Sequence, residues 1–185
     1  MTTTIHASHP QRGMMHAFDS LFETAHFDYL EQGRSGLTPA EVTAKFVEEV
    51  TAFAPDWLWG QYQNSNVIQA EGIAELRRRL PGTVMTSWMG DCRATLSSYL
   101  QSISAATHMS FIAAAGQEEL FRAAGAPEVY YLQIGLDWEE DVLGSRGYVP
   151  PFRVPEVVLC GNNYGAQFPG TEQRHAAIRA LHAAG

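Results

Sequence analysis

Short apolar runs and amphipathic stretches alternate along most of this chain. Trp57-Leu58-Trp59-Gly60-Gln61 is too short for a helix and rich in aromatic residues, so it reads as a buried strand. Ile73, Leu76 and Leu80 then line one face of a helix that stops at Pro81-Gly82. Thr83 to Trp88 is the next strand, and Leu96, Tyr99, Leu100 and Ile103 mark the helix after it. His108 to Ala113 is another strand, Gly116-Gln117 leads into a short helix ending at Gly125, and Val129 to Ile134 makes a further strand.

Upstream, Thr4-Ile5-His6-Ala7 reads as a first strand, and Arg12-Gly13 turns into the helical pattern Met14 to Phe22. Phe27-Asp28-Tyr29-Leu30 is a short second strand. Thr38-Pro39-Ala40-Glu41 is a capping box with proline at the first helical position, and Val42, Phe46, Val50 and Phe53 form the buried stripe of the helix it starts. Sequential strands joined by helical crossovers are parallel. The pattern therefore predicts an α/β, Rossmann-like domain, a mostly parallel sheet with helices on both faces. The strand exits at Gln61-Tyr62-Gln63 and Gly90-Asp91 should open on one edge, the edge where open α/β sheets bind ligands.

The pattern breaks at 144–155, where Gly, Ser, Pro and Arg take over, and this stretch reads as a linker. Residues 1–143 are then the Rossmann-like domain. Residues 156–185 carry one new strand, Glu156 to Tyr164 with its glycine turn, and one helix that Thr171 can cap, with Ile178 and Leu181 on its apolar side. One strand and one helix are the start of a second α/β unit and cannot bury both faces of a sheet.

Charge narrows the partners. The 185 residues carry a net charge of -8, which argues against a surface built for bare nucleic acid. Eleven of the twelve basic residues are arginines, and Arg77-Arg78-Arg79 falls at a helix end, where cations meet the negative end of the macrodipole; a phosphate-facing patch is the alternative. No apolar run approaches a membrane span, and Met1-Thr2-Thr3-Thr4 lacks the features of a signal peptide, so the expected location is the cytoplasm. Cys92 and Cys160 fit no metal or redox spacing.

Candidate chemistry gathers at the strand exits. Asp91 can act as a base toward a hydroxyl, or cap the following helix through the amide of Arg93 or Ala94. Gln61, Gln63 and Asn64 offer amide donors and acceptors to hydroxyl groups, or tie down their loop. Trp88 stands beside them as a further substrate-binding candidate. Gly13 and Gly161-Asn162-Asn163 each follow a strand in a turn that can admit a phosphate, with Arg174 as a charge partner; tight turns alone are the other reading. Cys92 at a helix start has the setting of a nucleophile but no evident partners. Glu23 with His26 and Glu172 with His175 have carboxylate-histidine spacing, without a four-helix pattern around them, and no metal is expected. His6, His9 and His16 cluster near the first turn and offer an alternative base.

The succession Gln61-Tyr62-Gln63, Ile73-Ala74-Glu75-Leu76-Arg77, Trp88-Met89-Gly90-Asp91-Cys92-Arg93, Gly116-Gln117-Glu118-Glu119-Leu120, Gly125-Ala126-Pro127 with Tyr131-Leu132-Gln133-Ile134-Gly135, and Cys160-Gly161-Asn162-Asn163-Tyr164 with Phe168-Pro169-Gly170 resembles bacterial and phage glycosyltransferases of the GT-B fold. Order and spacing over Trp57 to the C-terminus carry the resemblance. It implies a two-domain enzyme without a cofactor, with a nucleotide-diphosphate sugar as donor substrate held in the cleft between two Rossmann-like domains. The N-terminal domain would face the acceptor, and the C-terminal one, begun here by 156–185, would hold most of the nucleotide. The acceptor would be a hydroxyl on DNA, a protein side chain or a glycan, with Asp91 or a histidine such as His16 as base. A chain lacking most of the C-terminal half would need that half or a partner copy, as in a homo-oligomer. The competing expectation is a non-catalytic Rossmann-like binding or assembly domain.

Overall fold

The computed structural model describes residues 2–4, 12–63, 65–91, 93–133, 135 and 170–183. Their elements are β1 (Thr2–Thr4), α1 (Arg12–Leu21), β2 (His26–Asp28), α2 (Tyr29–Arg34), α3 (Pro39–Phe53), β3 (Trp57–Gly60), α4 (Ala70–Arg79), β4 (Val84–Met89), α5 (Ser98–Ala106), β5 (Met109–Ile112), α6 (Glu118–Ala123), β6 (Val129–Tyr131) and α7 (Thr171–Ala183). The strands form one sheet in the order β2-β1-β3-β4-β5-β6, with every pairing parallel. This is the Rossmann-like α/β fold that the alternating pattern predicts.

The chain runs one way from β1 to β2 and the other way from β2 onward, so crossovers of constant hand must put α1 and the later helices on opposite faces. Side-chain parity along β3 agrees. Leu58 is buried with Val42 and Phe46 of α3 and Ile73 of α4, whereas its neighbours Trp57 and Trp59 meet Phe18 of α1. Ile103 of α5 belongs to the Leu58 cluster, and Phe121 of α6 packs with Met89, Leu100 and Ile112 in an adjoining one. Helices thus cover both faces, with α1 alone on the second among the described residues.

Local chemistry sets the helix ends. Thr38 and Glu41 form the expected capping box at the start of α3, and Ala54 closes that helix in the left-handed conformation before Pro55. Ser97 caps α5 through the amide of Leu100. The close approach of α3 and α4 depends on Gly72, where a Cβ would lie 2.3 Å from Thr43 Cγ2. The Thr43 hydroxyl donates to the Pro39 carbonyl and accepts from the Gln69 amide, which stitches α3 to the start of α4.

Several expectations need correction. Tyr29 and Leu30 do not extend β2 but open α2, because Asp28 accepts from the amides of Leu30 and Glu31 at 3.0 Å each and turns the chain into a helix. Of the expected first strand Thr4-Ile5-His6-Ala7 only Thr4 is among the described residues, and it belongs to β1 (Thr2–Thr4). Leu96 is buried but precedes α5. Thr171 is the first residue of α7 rather than its cap: the Gly170 carbonyl, one residue earlier, accepts from the Arg174 amide at 2.9 Å. Ile178 and Leu181 are exposed, and α7 has no buried residue. The linker at 144–155 and the strand Glu156 to Tyr164 lie outside the described residues.

Candidate functional site at the strand exits

Parallel pairing of β3 with β4, Gly60 opposite Ser87, brings the exits of both strands to one edge. The strand order reverses between β1 and β3, so this edge is also the topological switch point, where doubly wound sheets form their binding crevice.

Asp91 follows β4 directly and is 50% exposed, while its Oδ2 accepts from Arg93 Nη2 at 2.8 Å. Arg93 is only 17% exposed. Its backbone amide donates to Gln117 Oε1 at 3.0 Å and its carbonyl accepts from Gln117 Nε2, so Gln117 clamps the β4 exit loop to the start of α6. Asp91 makes an ion pair here instead of a helix cap, since the next helix begins only at Ser98. The pairing fixes a solvent-facing carboxylate at this edge, open to a hydroxyl brought there. Arg93 and Gln117 were not singled out from the sequence. The signal available was an acid and a base two residues apart, followed by an amide after a glycine turn.

Trp88 is half-buried on the face of the sheet that α1 covers, and its ring lies over Gly90. A Cβ at Gly90 would sit 2.7 Å from that ring, so close aromatic approach excludes a side chain there. Gln63, in the left-handed conformation with φ of 50°, lines a cavity of about 10 Å³ with Trp88, Tyr62, Ser87 and Phe121. Ser87, Met89, Leu100 and Phe121 place this cavity on the sheet face opposite the one that carries the Trp88 ring, so Gln63 approaches residue 88 from the side away from its ring. Such a cavity holds no more than about one water, so a larger ligand would have to lie over it.

Gln61 is buried, and its carbonyl accepts from the Tyr29 hydroxyl at 2.7 Å. Its backbone thereby anchors the exit of β3. Below it Tyr29, Tyr62 and Tyr99 gather under the β3–α4 loop, with the Tyr99 and Ser65 hydroxyls 3.3 Å apart. Burial is the main reason that the Tyr29 phenol is pushed far up and that of Tyr99 up to about 12. These phenols stay protonated at neutral pH, and that of Tyr29 donates to the Gln61 carbonyl. The sequence pattern missed the cluster because three distant tyrosines converge only in the fold.

The remaining candidates are dispersed. Gly13 is the second residue of α1, whose N-terminus follows β1. His16 is exposed on α1, two residues from Phe18, whose ring faces the sheet; the imidazole is on the solvent side. Arg174 is exposed on α7. Asn64, Cys92, Gly161, Asn162, Asn163, His6 and His9 lie outside the described residues. Glu23 is in a loop and His26 in β2, so that pair does not share a helix. His26 Nε2 instead meets Asp19 Oδ1 at 2.9 Å. The Arg77 guanidinium donates to the Ala106 carbonyl, and Arg78 and Arg79 pair with Glu75, all at the end of α4 as the helix-end reading expects.

Among the described residues no helix is long and apolar enough to cross a membrane. No protein-family model, curated protein or solved structure matches this chain.

Proposed function

We propose that this chain carries the acceptor-side domain of a GT-B-type glycosyltransferase, which moves a sugar from a nucleotide-diphosphate sugar to a hydroxyl acceptor. One observation carries the reading: Asp91, paired with Arg93, stands at the exit of β4, on the sheet edge that also holds the exit of β3 and the switch point. In this reading Trp88 offers an apolar ring and Gln63 an amide, from opposite faces of the sheet, to groups held over the strand exits. Asp91 takes the acceptor proton as the oxygen attacks the anomeric carbon and the nucleoside diphosphate leaves. In this reading Arg93 orients the carboxylate, and Gly13, Gly161 to Asn163 and Arg174 are the residues assigned to the diphosphate.

The test is release of nucleoside diphosphate from a panel of nucleotide sugars by the full-length protein. Asp91→Asn should lower turnover about a hundredfold or more, the range of a general base, with the melting temperature unchanged. Equal turnover in the variant would remove Asp91 from that role.

A second reading, an assembly domain without catalysis, is favoured by the far edge of the sheet. Tyr130, Tyr131 and Leu132 at β6 are 48%, 47% and 41% exposed. Contiguous exposed apolar groups at a sheet edge mark interaction surfaces. Light scattering discriminates: under this reading mass rises with concentration and Leu132→Glu abolishes the rise, whereas a monomer at all concentrations rules it out.

A further inference from the structure

We propose that the cleft at the opposite edge of the sheet, between the ends of α1 and α3 and the start of β3, binds a small organic cation bearing an alkylated ammonium group. The cleft encloses about 410 Å³ and is walled by Phe18, Phe22, Phe53 and Trp57, with Glu23 and Asp56 at its margin. Phe18 and Trp57 stand 5.6 Å apart at 87°, and Phe22 and Trp57 5.9 Å apart at 82°. Rings set nearly perpendicular form the corner of a box, and the faces of such rings attract a cation that sheds its water easily.

Charge points the same way. Both α1 and α3 end at this cleft, and neither has a basic residue in its last turn. The other helix ends of the domain are treated differently. Arg34 closes α2, Arg77 to Arg79 close α4, Arg122 closes α6, and the Arg77 guanidinium reaches the last carbonyl of α5. Two negative helix ends converge on one aromatic cleft and add to the field of two carboxylates. A hard metal ion would want several oxygen ligands in place of these carbon walls. An alkylammonium group fits both the walls and the field.

The test is isothermal titration of the full chain with choline and, separately, with 3,3-dimethylbutan-1-ol, which has the same shape and no charge. Choline should bind saturably and at least about tenfold more tightly than the alcohol. Phe22 is 51% exposed, so Phe22→Leu leaves the fold intact while removing one ring of the box. That variant and Asp56→Asn should each weaken choline binding about fivefold or more. Equal affinity for choline and the alcohol would overturn the proposal, as would the absence of saturation or unchanged binding in both variants. Phosphatidylcholine vesicles separate the sources of the head group: retention on vesicles without binding of free choline would overturn the assignment to a small solute.

Discussion

Gly60 ends β3 without a side chain because Tyr62 occupies the space one would take: a Cβ there would lie 2.1 Å from the Tyr62 ring. Tyr62 is fully buried in the core, so its ring can shift only by disturbing the side chains packed around it. Gly60→Ala should therefore destabilise the fold by about 1–3 kcal/mol, the usual cost of overpacking, measured as a fall in the urea midpoint. His108 supplies a second prediction. Its Nδ1 accepts from the Met85 amide at 3.0 Å, which requires the neutral ring. Burial, and then the Arg77 charge, hold its pKa below the ordinary histidine value. The unfolded chain therefore takes up this proton first as pH falls. The stability His108 contributes is complete above about pH 6.5 and is lost as pH falls from there through the folded pKa. Urea midpoints should decline in that window, and His108→Gln should flatten the decline; equal slopes would exclude His108. Asp19, Glu41 and Glu75, held low chiefly by hydrogen bonds from Thr24, Thr38 and Arg79, contribute above the ordinary carboxylate value and lose that contribution as pH falls through their lower folded values. The two effects occupy separate windows.

The α3–α4 contact sets helix propensity against packing. Alanine in place of Gly72 would gain about 1 kcal/mol of intrinsic helix preference. It would also place a methyl 2.3 Å from Thr43 Cγ2, and Thr43 cannot turn away without breaking its bonds to Pro39 and Gln69. Packing wins, so Gly72→Ala should lower the melting temperature. Combining it with Thr43→Ser, which keeps the hydroxyl and removes the methyl, should restore it; failure of the pair to recover would mean that the contact is not what fixes Gly72. The same competition between local and tertiary terms decides what the sequence revealed. α3 was legible from end to end because cap, proline and stripe agree. α2 was not, because Phe27-Asp28-Tyr29-Leu30 alternates like a strand and only the folded side chain of Asp28 shows that it caps a helix. Thr2 and Thr3 of β1 were not legible, because the strand lies between two others yet Thr2–Thr4 carries no apolar residue. At the site, Asp91 and Trp88 were legible as residues at a strand exit. Arg93 and Gln117 were not, since their partnership joins loops twenty-four residues apart.

Across the whole molecule the two edges of the sheet differ in kind. The exits of β3 and β4 collect a carboxylate, amides and phenols, whereas the entry to β3 is framed by aromatic rings and helix ends. Among the described residues, both buried clusters that hold these edges in place are built from residues between Phe27 and Val129. α7 adds no buried residue to either. A chain ended at Leu143 should therefore keep the sheet, unfold in one cooperative step and melt within about 5 °C of the full chain, a shift corresponding to roughly 1 kcal/mol for a domain of this size. Calorimetry of the two proteins checks this, and choline titration of the shorter one should match the full chain, because every wall of that cleft is retained. A non-cooperative transition would show that residues beyond Leu143 belong to the same folding unit. The division into an acceptor-side domain and a donor-side start would then fall, and with it the assignment of Gly161 to Asn163 and Arg174 to a separate nucleotide-binding unit.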